Sequence, residues 1–87
     1  MEIVKGIVVK AIAGRDRGSI FVVKELTENR GYVLIADGKT RKLESPKKKS
    51  IKHLRFTNTV IDINDITNKK LKMALRNLNC SEDESEV

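Results

Sequence analysis

A chain of 87 residues with a net charge of +6, 39% hydrophobic residues and only 3% aromatic ones allows one domain and leaves no room for a second. Its core must consist mostly of Val, Ile and Leu, and a core of that size supplies only about 3–5 kcal/mol of net stability. No apolar run approaches membrane-spanning length, residues 1–10 lack a signal-peptide layout, and the lone Cys80 excludes an intrachain disulfide. The expected address is therefore the reducing cytoplasm, with no membrane partner.

The charge follows a gradient along the chain. Residues 1–56 carry +8, residues 57–79 add +2 and residues 80–87 contribute −4. The densest stretch is 39–55, where eight basic residues face Glu44 alone, a local +7. Such a density attracts polyanions and repels itself when nothing neutralises it.

Three β-branched runs come first, at 3–12, 19–26 and 32–36, each bounded by Gly, Asp or Asn as strands are. In the first run Lys5 and Lys10 fall on opposite parities, and Gly6 between them predicts a bulge or bend. The segment Ala13-Gly14-Arg15-Asp16-Arg17-Gly18 reads as a tight loop. Gly14 and Gly18 allow positive φ on either side of its tip, and Asp16 is expected to form an Asx-turn that leaves Arg15 and Arg17 projecting. Asn29-Arg30-Gly31 predicts the next turn and Asp37-Gly38 a two-residue hairpin. A fourth strand is expected at 39–43, an edge strand with Lys39, Arg41 and Lys42 on both faces. Residues 44–50 read as a loop because Pro46 prevents ladder pairing, and 51–56 as a last strand with Leu54 and Phe56 on one face.

Beyond Phe56 the period changes. Leu71, Ala74, Leu75 and Leu78 form a 3.6-residue stripe, with Lys69, Lys70, Lys72 and Arg76 mostly facing elsewhere. Thr67 is the expected N-cap, with Asp65 as a competitor, and Ile66 and Leu71 stand at the two positions of a hydrophobic staple. A helix of about three turns needs to dock its stripe, on the strands or on a partner. The acidic end, 80–87, is expected to be disordered. The expected fold class is mainly β: a small five-stranded barrel at 1–57, a linker and one short C-terminal helix at 58–79, then the tail.

The inventory argues against catalysis, a metal or a cofactor. His53 is the only histidine, Cys80 lacks partners, and no carboxylate pair sits in an apolar setting that would separate their pKa values. Gly14 and Gly18 flank a strand-to-strand loop, whereas a phosphate-binding glycine loop opens a helix. A small-molecule substrate is not expected. The basic residues are better supported as a site: Arg15, Arg17, Lys39, Arg41, Lys42, Lys47, Lys48, Lys49, Lys52 and Arg55 can neutralise phosphates without reading sequence, although several would be solvated in any case. With Phe21 and Phe56 expected in the core, base stacking is hard to build, which favours folded RNA over single strands.

The string Gly6-Ile7-Val8-Val9-Lys10-Ala11-Ile12-Ala13-Gly14-Arg15-Asp16-Arg17-Gly18, followed by Phe21-Val22-Val23, resembles the KOW motif. The similarity continues through Val33-Leu34-Ile35-Ala36-Asp37-Gly38-Lys39, Arg41-Lys42 and Pro46-Lys47-Lys48-Lys49 to Lys52-His53-Leu54. That longer string is similar to the KOW-bearing large-subunit ribosomal proteins of eukaryotic type, number fourteen in particular. The resemblance implies an SH3-like barrel that binds rRNA or another structured RNA and is associated with the ribosome. It places Gly14, Arg15, Arg17 and Gly18 against RNA, together with the 46–52 segment and its neighbour His53. Since KOW domains also occur in transcription elongation factors, the alternative is a protein-interaction module that contacts ribosomal or transcription proteins.

Overall fold

The computed structural model describes residues 3–85, with side chains through residue 78. Five strands form one antiparallel sheet: β1 (Ile7–Ala11), β2 (Ile20–Leu26), β3 (Tyr32–Ala36), β4 (Lys47–Ser50) and β5 (Leu54–Val60), in the order β4-β3-β2-β1-β5. One helix follows, α1 (Asn68–Ser85).

The chain path dictates the shape of the sheet. β4 and β5 are its two edges, yet only a 3₁₀ turn, Ile51–His53, separates them in sequence. In a flat sheet of this order the two edges would lie about 19 Å apart, four spacings of roughly 4.8 Å. The four peptide steps from Ser50 to Leu54 span at most about 15 Å, and less in a 3₁₀ conformation. The sheet must therefore curl. Register shifts between Ile7 and Val9 in the β1–β5 pair, and between Val23 and Glu25 in the β2–β3 pair, add the twist that curling needs. Gly6, with φ of +90°, provides the bend that precedes the first of these.

Curling buries the inner face with no second layer. Ile7, Val9, Ala11, Phe21, Val23, Val33, Ile35 and Leu54 form this core, with Ile3, Ile51 and Phe56 packed at its margin. The sheet stops short of closure, since no ladder joins β4 to β5 among the described residues. The expected five-stranded, mainly β architecture is present, as an open, curled antiparallel sheet. The outer face is covered by the helix: Val8, Val22 and Ala36 bury Leu71 and Leu75, with Ile20, Leu43, Ile61, Ile63, Ile66 and Leu78 around them.

The helix begins as its sequence predicts. Thr67 Oγ1 accepts from the Lys70 amide at 3.2 Å, and the Leu71 amide donates to the Thr67 carbonyl. Both staple residues belong to the outer cluster. The competing cap, Asp65, instead takes a left-handed conformation with φ of 60°. Helical backbone continues to Ser85, into the acidic segment expected to be disordered. No Gly or Pro interrupts Asn68–Ser85, and Glu is a good helix former. Residues 86 and 87 of that expectation lie outside the described residues. Within the described residues, no helix is long and apolar enough to cross a membrane.

Three elements differ from expectation. Residues 39–43 form no strand, because Asp37 captures the chain: its Oδ1 accepts from the Lys39 and Arg41 amides at 2.9 and 2.8 Å. The Arg41 carbonyl in turn accepts from the Asp37 and Gly38 amides. This replaces the expected two-residue hairpin with a longer, side-chain-closed turn. The fourth strand is Lys47–Ser50, in the segment expected to be a loop, where tertiary pairing with β3 overrides a lysine run of poor strand propensity. The last strand consequently starts later, at Leu54, and the three residues before it are 3₁₀.

Asn68 fastens the helix start to this region. Its Oδ1 accepts from the Leu43 amide at 2.8 Å and its Nδ2 donates to Glu44 Oε1 at 2.7 Å. Gly38 lies against the same residue: its φ is +77°, and a Cβ there would collide with the Asn68 carbonyl oxygen.

Leu71 is fully buried, so Leu71→Ala is expected to cost about 2–5 kcal/mol, comparable with the whole stability of a domain this size. Urea denaturation measures it. The Glu44 carboxyl is held below 4.5 by the Asn68 amide and by its own backbone amide. A carboxyl whose folded pKa is depressed contributes stability that is present above its unfolded pKa and lost as pH falls through the folded one. Stability should therefore decline as pH drops below about 4.5, and Glu44→Gln, which keeps an acceptor but does not titrate, should flatten part of that decline in denaturation curves at pH 6 and pH 3.5.

Candidate nucleic-acid interface

Two loops meet at one rim of the sheet. The first is the 14–18 loop between β1 and β2. Gly14 and Gly18 both take positive φ, +83° and +89°. The turn closes through the Arg17 amide on the Gly14 carbonyl, the Gly18 amide on Ala11 and the Ser19 amide on Asp16. The second is the 37–41 turn closed by Asp37. Asp16 joins them: its Oδ2 lies 3.2 Å from Lys47 Nζ and 3.8 Å from an Arg41 guanidinium nitrogen. The Asp16 side chain is 16% exposed, while those of Arg41 and Lys47 are 33% and 35% exposed. The expected role for Asp16 was an Asx-turn within its own loop. Its carboxylate is instead directed at cations 25 and more residues away, because the curl of the sheet carries β4 under the loop.

Lys49 lies deeper. It pairs with Val33, so it faces the inner side, and is 9% exposed. Its Nζ donates to the Ala13 carbonyl at 3.4 Å, and a Cβ at Gly14 would stand 3.1 Å from that nitrogen. Lys49 is therefore a prop beneath the loop, and Lys47 is held by Asp16. Lys48 faces the other side, its Nζ 5.0 Å from the centre of the exposed Tyr32 ring, a cation–π distance. The three consecutive lysines thus take three different roles. Arg41 is also built in: it is half-buried, and its Nε has no hydrogen-bond partner.

The remaining candidates are exposed. Arg15 and Arg17 project from the first loop, Lys39 from the second, and Lys42 follows it. Lys52 and His53 stand on the 3₁₀ turn, whose His53 carbonyl accepts from the Ile12 amide at 2.9 Å and so lies beside the base of the first loop. Arg55 lies on β5 directly opposite Lys10 on β1. Like charges facing each other across an antiparallel pair are unfavourable unless something neutralises them. Among the described residues no ion pair engages Arg15, Arg17, Lys39, Lys42, Lys48, Lys52 or Arg55. Lys10, Lys72 and Arg76 are further basic residues that the candidates named from the sequence did not include. Lys10 was hidden in a strand of irregular parity. Lys72 and Arg76 read as a solvated helix face, though their i, i+4 spacing with no acid nearby was a visible signal.

Asp16 both locks the rim and neutralises it. Asp16→Ala is expected to lower stability by about 1–3 kcal/mol, since it leaves Lys47 and Arg41 without their counter-ion. Because it also adds +1 to the patch, affinity for a polyanion at low salt should hold steady or rise while the melting temperature falls. Parallel melting and binding measurements on the one variant check both directions.

No family model matches the chain, and no curated protein matches it.

Proposed function

We propose that this protein is a non-catalytic binder of structured RNA, rRNA or a ribosome-associated RNA, which it holds by its phosphate backbone. The observation that carries the reading is the rim itself. Two loops are locked together by Asp16, Lys47 and Arg41, while Arg15, Arg17, Lys39, Lys42 and Lys52 are exposed around them and in no ion pair among the described residues. A fixed scaffold that shows cations without local counter-ions is suited to a rigid polyanion, because little side-chain or loop entropy has to be lost on binding beyond the lysines themselves.

Three further points support the reading. The resemblance to KOW proteins falls on the residues of the first loop and of the 37–42 and 46–54 segments. The curled sheet with a 3₁₀ turn between its edge strands is compatible with an SH3-like barrel, the fold which that resemblance implies. The rings also favour folded RNA: Phe21 is buried, Phe56 is half-buried, and Tyr32 is already occupied by Lys48. This leaves little for stacking on unpaired bases and favours recognition by shape and backbone.

Four to six phosphate contacts give a plot of log K against log salt with a slope of about −3 to −5 between roughly 50 and 200 mM salt. Fluorescence anisotropy with a structured RNA measures it, and a flat response would reject the proposal. Arg15→Ala, Arg17→Ala and Lys52→Ala are each expected to weaken binding across RNA sequences alike and to reduce the slope by about one. These exposed positions make cleaner tests than Lys47 or Lys49, whose removal would disturb the rim.

A further inference from the structure

On the outer face, an open cavity of about 490 Å³ lies between α1 and the sheet, lined by Gly18, Ser19, Ile20, Asp37, Lys39, Lys72, Leu75 and Arg76. Its size falls within the range of ligand sites, roughly 300–1,000 Å³. Ile20 and the buried Leu75 give it an apolar floor. Its walls carry three cations and one carboxylate. That carboxylate is engaged, since Asp37 Oδ1 already accepts two backbone amides. None of the three cations is in an ion pair among the described residues.

Two placements set like charges side by side here, with Asp37 the one carboxylate in the lining. Lys72 and Arg76 are one helical turn apart, where like charges repel. Lys10 stands beside Ile20 in the β1–β2 register and opposite Arg55 in the β1–β5 register. The sheet face that carries Ile20 thus also carries the basic pair Lys10 and Arg55. Gly18 and Ser19 belong to the loop that forms the rim, so cavity and rim share an element.

Resting on the RNA-binding reading, we propose that this cavity receives a backbone phosphate of the bound RNA, with Lys39, Lys72 and Arg76 neutralising it and Ile20 and Leu75 beneath its ribose. The bound strand then passes from the rim over Gly18 onto α1, and the helix is part of the interface.

The test is a pair of amide NMR titrations of the full chain, one with inorganic pyrophosphate and one with a structured RNA, alongside anisotropy measurements on a Lys72→Ala, Arg76→Ala double variant. Both side chains are exposed, and alanine favours helix, so the variant keeps the fold. The expected result is saturable shifts at Gly18, Ser19, Lys39, Lys72 and Arg76 in both titrations, with a salt slope smaller by about one per cation removed. RNA binding with an unchanged slope would overturn this site alone and leave the rim standing. Shifts with pyrophosphate but not with RNA would overturn it in favour of a small phosphate ligand. No RNA binding by the unaltered chain would sink this inference together with the reading it rests on.

Discussion

A three-residue link between opposite edges of the sheet is the constraint from which the other features follow. The chain has to travel from β4 to β5 in fewer ångströms than a flat five-stranded sheet would demand. Curling solves the geometry and supplies a core at the same time, since a face folded over on itself needs no second layer. It also fixes what meets at the rim. β4 is brought beneath the first loop, so residues as far apart in sequence as Asp16 and Lys47 become neighbours. Without the curl, the rim would be two separate floppy loops.

The charge is arranged around that frame in two populations. Lys47, Lys49 and Arg41 are held by Asp16 or by backbone and act as structure. Arg15, Arg17, Lys39, Lys42, Lys52 and Arg55 have no such partner among the described residues and act as surface. One carboxylate between two half-buried cations leaves a net positive charge at the rim. A domain with only a few kcal/mol of net stability would gain most from a partner that relieves the repulsion. The proposed phosphate contacts would act on this same charge distribution.

The sequence made local features legible and left the non-local ones hidden. β2 and β3 lie within one residue of the expected runs, and the Thr67 cap, the Ile66–Leu71 staple and the Leu71, Leu75 and Leu78 stripe all formed where the pattern placed them. Each rests on neighbours close in the chain. The errors came where a distant strand decides, and in one case where a nearby side chain competes with the ladder for backbone amides. A run of three lysines has little reason to be a strand until β3 offers its edge, and residues 39–43, basic on both faces, form a turn because Asp37 accepts their amides. The same limit applied to the rim. Its basic residues could be named from composition, but nothing local separates Lys48, which faces Tyr32, from Lys49, which lies under Gly14.

The helix on the outer face has an architectural consequence. Val8, Val22 and Ala36 are covered by Leu71 and Leu75, while β4 and β5 remain open edges. Detaching the C-terminal third would leave a greasy surface on a ribbon that still has two unpaired margins, a combination prone to sticking edge to edge. The terminal helix is therefore a cover for the strands as well as an addition to them.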